Sequence, residues 1–388
     1  ATEGPSQLAQ NSDGGSGSGN RDGGRQGVDG GSSQDAAPEP KDSAVTSGDA
    51  SATAGWYTVQ GPTILDGNGK PHLFRGLDRP SLEWSSGGDS LSAGDYMVMA
   101  AWGANVVRIS LNQDFWLKAD ANGNANPTYD SSYEATVDQQ VQWAKMYKLD
   151  VILDLHWSDK GDFAVAANCL SAKTGCQQDM ADAHSVLFWQ QLATKYKDNP
   201  QVLFELYNEP KVGGYMPTSA NWDTWLNGGT SSGFAVHGMQ ELYNAVRMSG
   251  AQNLVIIGGL NWANDLSGVP AHAVNGSNII YNTHVYQTSM PSSWDASFGS
   301  LSAKYPVIAT EFGDHSGSCS TALSSNFIAY ANKKGSNGDN PPSELSWTAW
   351  AFYSANGVDQ CKFPTLLSSW YTPNVSGMIV QSALMAGP

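Results

Sequence analysis

Val202-Leu203-Phe204-Glu205-Leu206-Tyr207-Asn208-Glu209-Pro210 is an apolar, β-rich run that closes on an amide and a carboxylate. Over Val202–Asn208 its hydrophobic character is nearly continuous rather than alternating. That is the pattern of a parallel strand covered on both faces. Seven further runs share it: His72–Asp78, Asn105–Leu111, Asp150–Trp157, Leu254–Gly259, Ile279–His284, Pro306–Phe312 and Leu345–Phe352. Helical patterns lie between and after them, at Ser92–Trp102, Tyr133–Tyr147, Met180–Tyr196, Phe234–Arg247, Ser293–Lys304, Leu323–Lys334 and Met378–Met385. Asn199-Pro200 stops the third, and a weaker pattern around Asp265–Val269 supplies the fifth unit. Eight strand–helix units in about 330 residues predict an α/β fold, a (β/α)8 TIM barrel. Any active site must then gather at the C-terminal ends of the strands.

Outward from the barrel, Trp56–Phe74 reads as a short N-terminal hairpin with Asp66-Gly67-Asn68-Gly69 as its turn. Residues 1–55 hold no aromatic residue and are dominated by Gly, Ser and Asp. Such a segment buries too little apolar surface to offset its ordering entropy, so a flexible, disordered acidic linker is expected there. The domain division is therefore a linker at 1–55 and a catalytic barrel at 56–388. The chain begins at Ala1 without a Met or an apolar leader and reads as a processed product.

With 388 residues, 40% of them apolar, a large core is available. No run of ~18 apolar residues occurs, so membrane insertion is not expected. Twenty Lys plus Arg against 36 Asp plus Glu give a net charge of −16, which argues against nucleic-acid and anionic-lipid partners. The charged fraction is only 14%, and neutral polar partners, carbohydrate above all, fit that balance. The four cysteines form an even set without a C-x-x-C pair. Two disulfides, Cys169–Cys176 and Cys319–Cys361, are expected, in an exported protein.

The strand ends carry Arg108, His156, Asn208-Glu209, His284 with Tyr286, Glu311 and Trp350. Each alone has a plain structural explanation, as an ion pair, a satisfied core histidine or a packed ring. Together they converge on one barrel mouth, where burying ionisable groups is costly without partners. Glu209 and Glu311 close the fourth and seventh strands, across the mouth from each other. Paired carboxylates are what glycoside hydrolysis needs: one donates a proton to the leaving oxygen, the other attacks the anomeric carbon or activates water. Like charge nearby should raise the pKa of the acid. Tyr286 is placed to donate to Glu311, and Asn208 to bind the sugar 2-hydroxyl.

These landmarks, in this order over residues ~56–388, resemble the family 5 glycoside hydrolases, the cellulase A family of retaining β-glycanases. The family pattern has Arg on strand two, His after strand three, Asn-Glu on strand four, His-x-Tyr on strand six, Glu on strand seven and Trp on strand eight. The resemblance implies that Glu209 is the acid/base and Glu311 the nucleophile of a double displacement. Asp78 stands where many relatives carry Asn, and Lys211 follows Glu209-Pro210 where His is usual. The implied function is a secreted retaining endo-β-glycanase, foremost an endo-β-1,4-glucanase acting on cellulose or mixed-linkage glucan. A β-mannanase or other β-glycosidase is the alternative, since subsite loops read the sugar. A non-catalytic glycan-binding barrel would have lost one of the two glutamates.

No cofactor and no metal are expected, and the partner is a polysaccharide or oligosaccharide bound by a monomer. Trp84, Trp157 and Trp262 follow strands one, three and five, where they would either stack on sugar rings or pack in the core. Trp347, His184 and His237 are taken as structural. Asp120-x-Asn122-Gly123-Asn124 begins like a calcium loop, but Ser131 replaces the bidentate Glu, so Asx turns are the better reading. Asn275-Gly276-Ser277 and Asn374-Val375-Ser376 are glycosylation sequons only in a eukaryotic secretory host.

Overall fold

The computed structural model describes residues 55–172, 176–286, 294–314, 321–333, 341–354 and 364–387. Eight parallel strands close a barrel: β1 (Arg75–Arg79), β2 (Val106–Asn112), β3 (Asp150–Trp157), β4 (Val202–Glu205), β5 (Val255–Gly258), β6 (Ile279–Val285), β7 (Val307–Phe312) and β8 (Ser346–Ala349). Each pairs with the next, and β8 closes onto β1 through Trp347 opposite Arg75. Every residue of every barrel strand is buried, as the continuous apolar runs require. Trp347 is fully buried.

The helices follow their caps rather than their hydrophobic stretches. The third helical pattern starts at Ala183, not Met180, because Asp182 takes the free amides of His184 and Ser185 at 2.9 and 3.1 Å. The pattern at Phe234–Arg247 is split. Phe234–Val236 pairs antiparallel with Gly229–Ser231, and the helix runs only over Met239–Met248. The reason is the intervening Ser232-Gly233, both at positive φ (46° and 82°), the backbone of a tight hairpin turn. No helix forms at Asp265–Val269. Leu260 and Asp265 instead exchange backbone hydrogen bonds of 3.0 and 2.9 Å around the left-handed Asn261, Trp262 and Ala263, and Asp265 caps Ser267 N at 2.7 Å. Ser293–Lys304 resolves into Trp294–Ser297 and a 3-10 turn at Gly299–Ala303. Short helices at Gln113–Trp116, Phe163–Ala172 and Ser219–Asn227 sit inside connections that the sequence reading left unassigned.

The N-terminal hairpin is a three-stranded sheet, Thr58–Gln60, Thr63–Leu65 and Pro71–His72, with Asp66 capping the amides of Asn68 and Lys70 in the second turn. It covers the barrel floor. Tyr57 and Ile64 pack with Phe74, Val106, Ile152, Leu203, Leu254, Ile256, Ile280 and Ile308 in one apolar cluster. A second, larger cluster fills the space between strands and helices. Cys169 and Cys176 form a disulfide. Cys319, Cys361 and residues 1–54 of the expected linker lie outside the described residues. Asp120 binds the amides of Asn122 and Asn124 at 2.9 and 2.8 Å, an Asx turn on the surface.

Candidate active site

Arg108 on β2 is fully buried at the centre of the mouth, and its guanidinium orders the groups around it. Nε binds Glu205 at 2.7 Å, Nη1 binds Glu311 Oε1 at 2.8 Å, and Nη2 reaches Asp154 at 2.9 Å and Asn208 Oδ1 at 2.7 Å. A buried cation with several carboxylate partners is held firmly charged. Burial alone would push Glu205 up, but Arg108 and His284 outweigh it and bring its carboxyl down to about 2. Asn208 is fixed at both ends, since its amide nitrogen faces His156 Nε2 at 3.4 Å. His156 Nδ1 lies 2.7 Å from Asp154, and burial lowers the His156 pKa, so the ring is neutral with its proton on Nδ1. Trp350 stacks on that ring, 5.6 Å between centroids and 15° between planes.

Glu209 follows β4, Glu311 lies on β7, and one carboxylate oxygen of each falls with His284 in a set no more than 4.8 Å across. His284 Nδ1 is 3.0 Å from Glu209 Oε1 and 3.6 Å from Glu311 Oε2. Its Nε2 meets Thr310 Oγ1 at 3.1 Å, and that hydroxyl donates onward to Glu205 at 2.8 Å. Both ring nitrogens of His284 therefore donate. Burial opposes the charge, but Glu311, Glu205 and Glu209 outweigh it and raise His284 to about 10. The expected rise of the Glu209 pKa is not found: burial pushes it up, yet the hydrogen bonds from His284 and Gln177 and the His284 charge bring it below the usual value. The like-charge effect is reversed because a cation sits between the two carboxylates. Tyr286 Oη donates to Glu311 Oε2 at 2.8 Å, so both Glu311 oxygens are held.

Two β-bulges aim this set. Between β6 and β7 the register steps from Thr283 opposite Ala309 to His284 opposite Glu311, leaving Thr310 as the extra residue. Between β2 and β3 it steps from Leu111 opposite Leu155 to Asn112 opposite Trp157, leaving His156 as the extra residue. The sequence reading missed Glu205, Asp154, Thr310 and Gln177. An acidic residue inside an apolar strand was the available signal for the first two. Gln177, on the β3 connection, had none.

The expected aromatic residues divide. Trp157 is 3% exposed and packs with Trp84, Cys169 and Cys176, so it is core. Trp262 is half-buried beside the exposed Tyr215, 4.6 Å between ring centroids, with the Lys211 ammonium 5.7 Å from its ring. Trp84 lies edge-on to Tyr353 and donates to Asp89 at 2.7 Å. Folding also gathers Asp114, Asp159 and His184, a grouping not visible in the sequence; like Glu209, His284 and Glu311, they are close enough to share a cation. In both groups an imidazole already faces the carboxylates, His184 Nδ1 lying 2.8 Å from Asp159.

The cellulase model, glycosyl hydrolase family 5, matches residues 65–355. An endoglucanase of Clostridium saccharobutylicum is 24% identical over 303 residues, covering 76% of this chain and 57% of its own length. Endoglucanase E-5 of Thermobifida fusca is 25% identical over 266 residues, covering 67% of this chain and 48% of its own length. This chain thus spans about half the length of such relatives. Among solved structures, a beta-glucanase of Saccharophagus degradans in complex with cellotetraose superposes with a TM-score of 0.61 at 22% identity, over 86% of this chain and 94% of that one. The catalytic domain of Thermobifida fusca endoglucanase Cel5A gives 0.59 at 19% identity, over 85% and 97%. With the model spanning most of the chain and the barrel closed as described, the protein belongs to glycosyl hydrolase family 5, the cellulase family.

Proposed function

We propose that the protein is a retaining endo-β-glucanase, cleaving β-1,4-linked or mixed-linkage glucan by double displacement. The observation that carries this reading is the spacing of Glu209 and Glu311, with facing oxygens no more than 4.8 Å apart. Retaining enzymes hold their carboxyls about 5–5.5 Å apart, whereas inverting ones leave roughly 6.5–9.5 Å for a water. Glucan is favoured because curated relatives are endoglucanases and one structural neighbour binds cellotetraose.

In the first step Glu311 attacks the anomeric carbon while the glycosidic C–O bond breaks and Glu209 gives its proton to the leaving oxygen. Arg108 and Tyr286 hold the two oxygens of the attacking carboxylate. His284 Nδ1 lies one hydrogen bond from Glu209 Oε1 and holds that oxygen in place. In the second step Glu209 takes a proton from water, the oxygen attacks the anomeric carbon, and the ester to Glu311 breaks with the β configuration restored. Asn208, fixed by Arg108 and His156, binds the 2-hydroxyl, and Trp262 offers a ring beside the acid. We further assign residues 56–388 as a monomeric catalytic barrel of an exported protein and 1–55 as a flexible linker. The disulfide supports export. Among the described residues no helix is long and apolar enough to cross a membrane.

Glu311→Ala tests the reading. On an activated β-cellobioside the variant should be inactive, and added azide should restore turnover with an α-glycosyl azide as product. A β-azide, or wild-type release of the α anomer, would overturn double displacement. Faster hydrolysis of mannan than of cellulose or lichenan would overturn the substrate.

A further inference from the structure

The β3 connection returns to the mouth and touches Glu209. Gln177 stands one residue beyond Cys176, is 4% exposed, and donates from Nε2 to Glu209 Oε2. The other carboxylate oxygen faces His284 Nδ1 at 3.0 Å. Each oxygen of Glu209 therefore has one N–H donor, one from a barrel strand and one from a loop. That loop is fastened around Gln177. The Gln177 carbonyl accepts from Lys211 Nζ at 3.1 Å, and Lys211 N donates to the Asp179 carbonyl at 2.8 Å. The Cys176 carbonyl accepts from Ser158 N at 3.1 Å, and the Cys169–Cys176 disulfide closes the segment. Lys211 is the residue that departs from the family pattern after Glu209-Pro210, and its contacts give it this fastening task.

We propose that Gln177 is a positioning residue for the acid/base step, holding Glu209 as an aimed carboxylate, with Lys211 fixing the loop that presents it. The inference rests on the assignment of Glu209 as acid/base. An amide N–H favours the charged over the protonated carboxyl without bringing a competing charge. Gln177 covers Oε2, the oxygen left free by His284. It therefore favours Glu209 as a base in the second step and must yield to the leaving oxygen in the first. The other titratable groups facing Glu209 are His284 on β6, Tyr286 beyond it, Glu311 on β7, and His156 and Asp154 on β3. None of them is altered by changing Gln177.

The test is the pH profile of kcat/KM for the full chain, wild type against Gln177→Leu, on aryl β-cellobiosides with a poor and an activated leaving group. Removing the donor makes the acid form of Glu209 persist to higher pH. The basic limb should move up by about 1–2 pH units, the effect of one hydrogen bond to a charged group. kcat should fall roughly tenfold on the poor leaving group and less than about threefold on the activated one, through lost aim. Lys211→Met should move the limb in the same direction by less, and the double variant should match Gln177→Leu alone, since both act through one contact. An unmoved basic limb, or equal losses on both substrates, would reduce Gln177 to a structural role and overturn the proposal. Should Gln177→Leu fail to fold, the limb shift is required of Lys211→Met, and its absence there is equally fatal. Glu209→Gln separates the two inferences: if its loss does not depend on the leaving group, the acid/base assignment fails, whatever Gln177 does.

Discussion

Asp78 shows how burial converts one residue type into the working equivalent of another. It lies on β1, fully buried, with Oδ1 3.1 Å from Thr348 Oγ1 and 3.9 Å from Arg108. Burial raises its pKa well above 3.8, Arg108 works against this, and Glu311 and Glu205 add to it. Burial thus favours the neutral carboxyl, close to an Asn in shape and charge, at the position where this chain departs from the family pattern. The sign of the pH effect follows. From about pH 4 upward the folded state keeps a proton that the unfolded chain releases, so this group removes stability as pH rises. Asp78→Asn has no such slope. It should be active, and its gain in urea midpoint over wild type should be larger at pH 8 than at pH 4. A smaller gain at pH 8 would mean that Asp78 is ionised in the fold. At this scale the sequence exposed Arg108, His156, Asn208, Glu209, His284, Tyr286 and Glu311, because each is a polar residue set in or just after an apolar run. It hid Glu205, Asp154 and Thr310, whose side chains turn inward from within the apolar runs, and Gln177, whose contact depends on a loop path that no periodicity encodes.

Among the elements, the strands were legible because burial on both faces leaves a continuous apolar run, and all eight appear within a few residues of the expected limits. Connections were less so, because turn geometry overrides a hydrophobic pattern: Ser232-Gly233 and the left-handed stretch Asn261–Ala263 each displaced an expected helix. The bulges beside Thr310 and His156 were invisible for a related reason, since an extra residue in a parallel ladder leaves the composition unchanged. The β3 connection is the element on which a local cross-link acts most directly. Its disulfide spans a sequence separation of only 7, so the entropy it removes from the unfolded chain is limited to about 2–3 kcal/mol. Cys169→Ser with Cys176→Ser should lower Tm by several degrees while leaving the Arg108 network in place. Differential scanning calorimetry checks this. An unchanged Tm would mean that the segment is held by packing on Trp157 and by the Ser158 and Lys211 contacts alone.

For the whole molecule, a barrel open at both ends has to be sealed at one of them. Here the catalytic mouth is filled by charge and the opposite floor by the N-terminal sheet. Tyr57 and Ile64 close an apolar cluster that includes one or more side chains from β2, β3, β4, β5, β6 and β7. Tyr57 Oη also donates to Asp150 Oδ2 at 2.7 Å, a bond that partly offsets the burial raising Asp150 to about 7. The family match begins at residue 65, the last residue of the second strand of that sheet, so a boundary drawn from the match alone would leave the floor uncovered. Two truncations separate the domain as packed from the domain as matched. A chain starting at Gly55 should keep the Tm and the kcat/KM of the full chain on a soluble substrate, because the composition of residues 1–54 offers no apolar anchor. A chain starting at Asp66 loses Tyr57, Ile64 and Val59 from the floor. Counting the two buried ones, Tyr57 and Ile64, at about 1.5–3 kcal/mol each, it should lose roughly 3–6 kcal/mol and be recovered mainly as insoluble protein. Equal Tm for the two truncations would show that the sheet is ornamental to the barrel, and a fall in kcat/KM for the Gly55 start would show that the preceding residues contribute to catalysis.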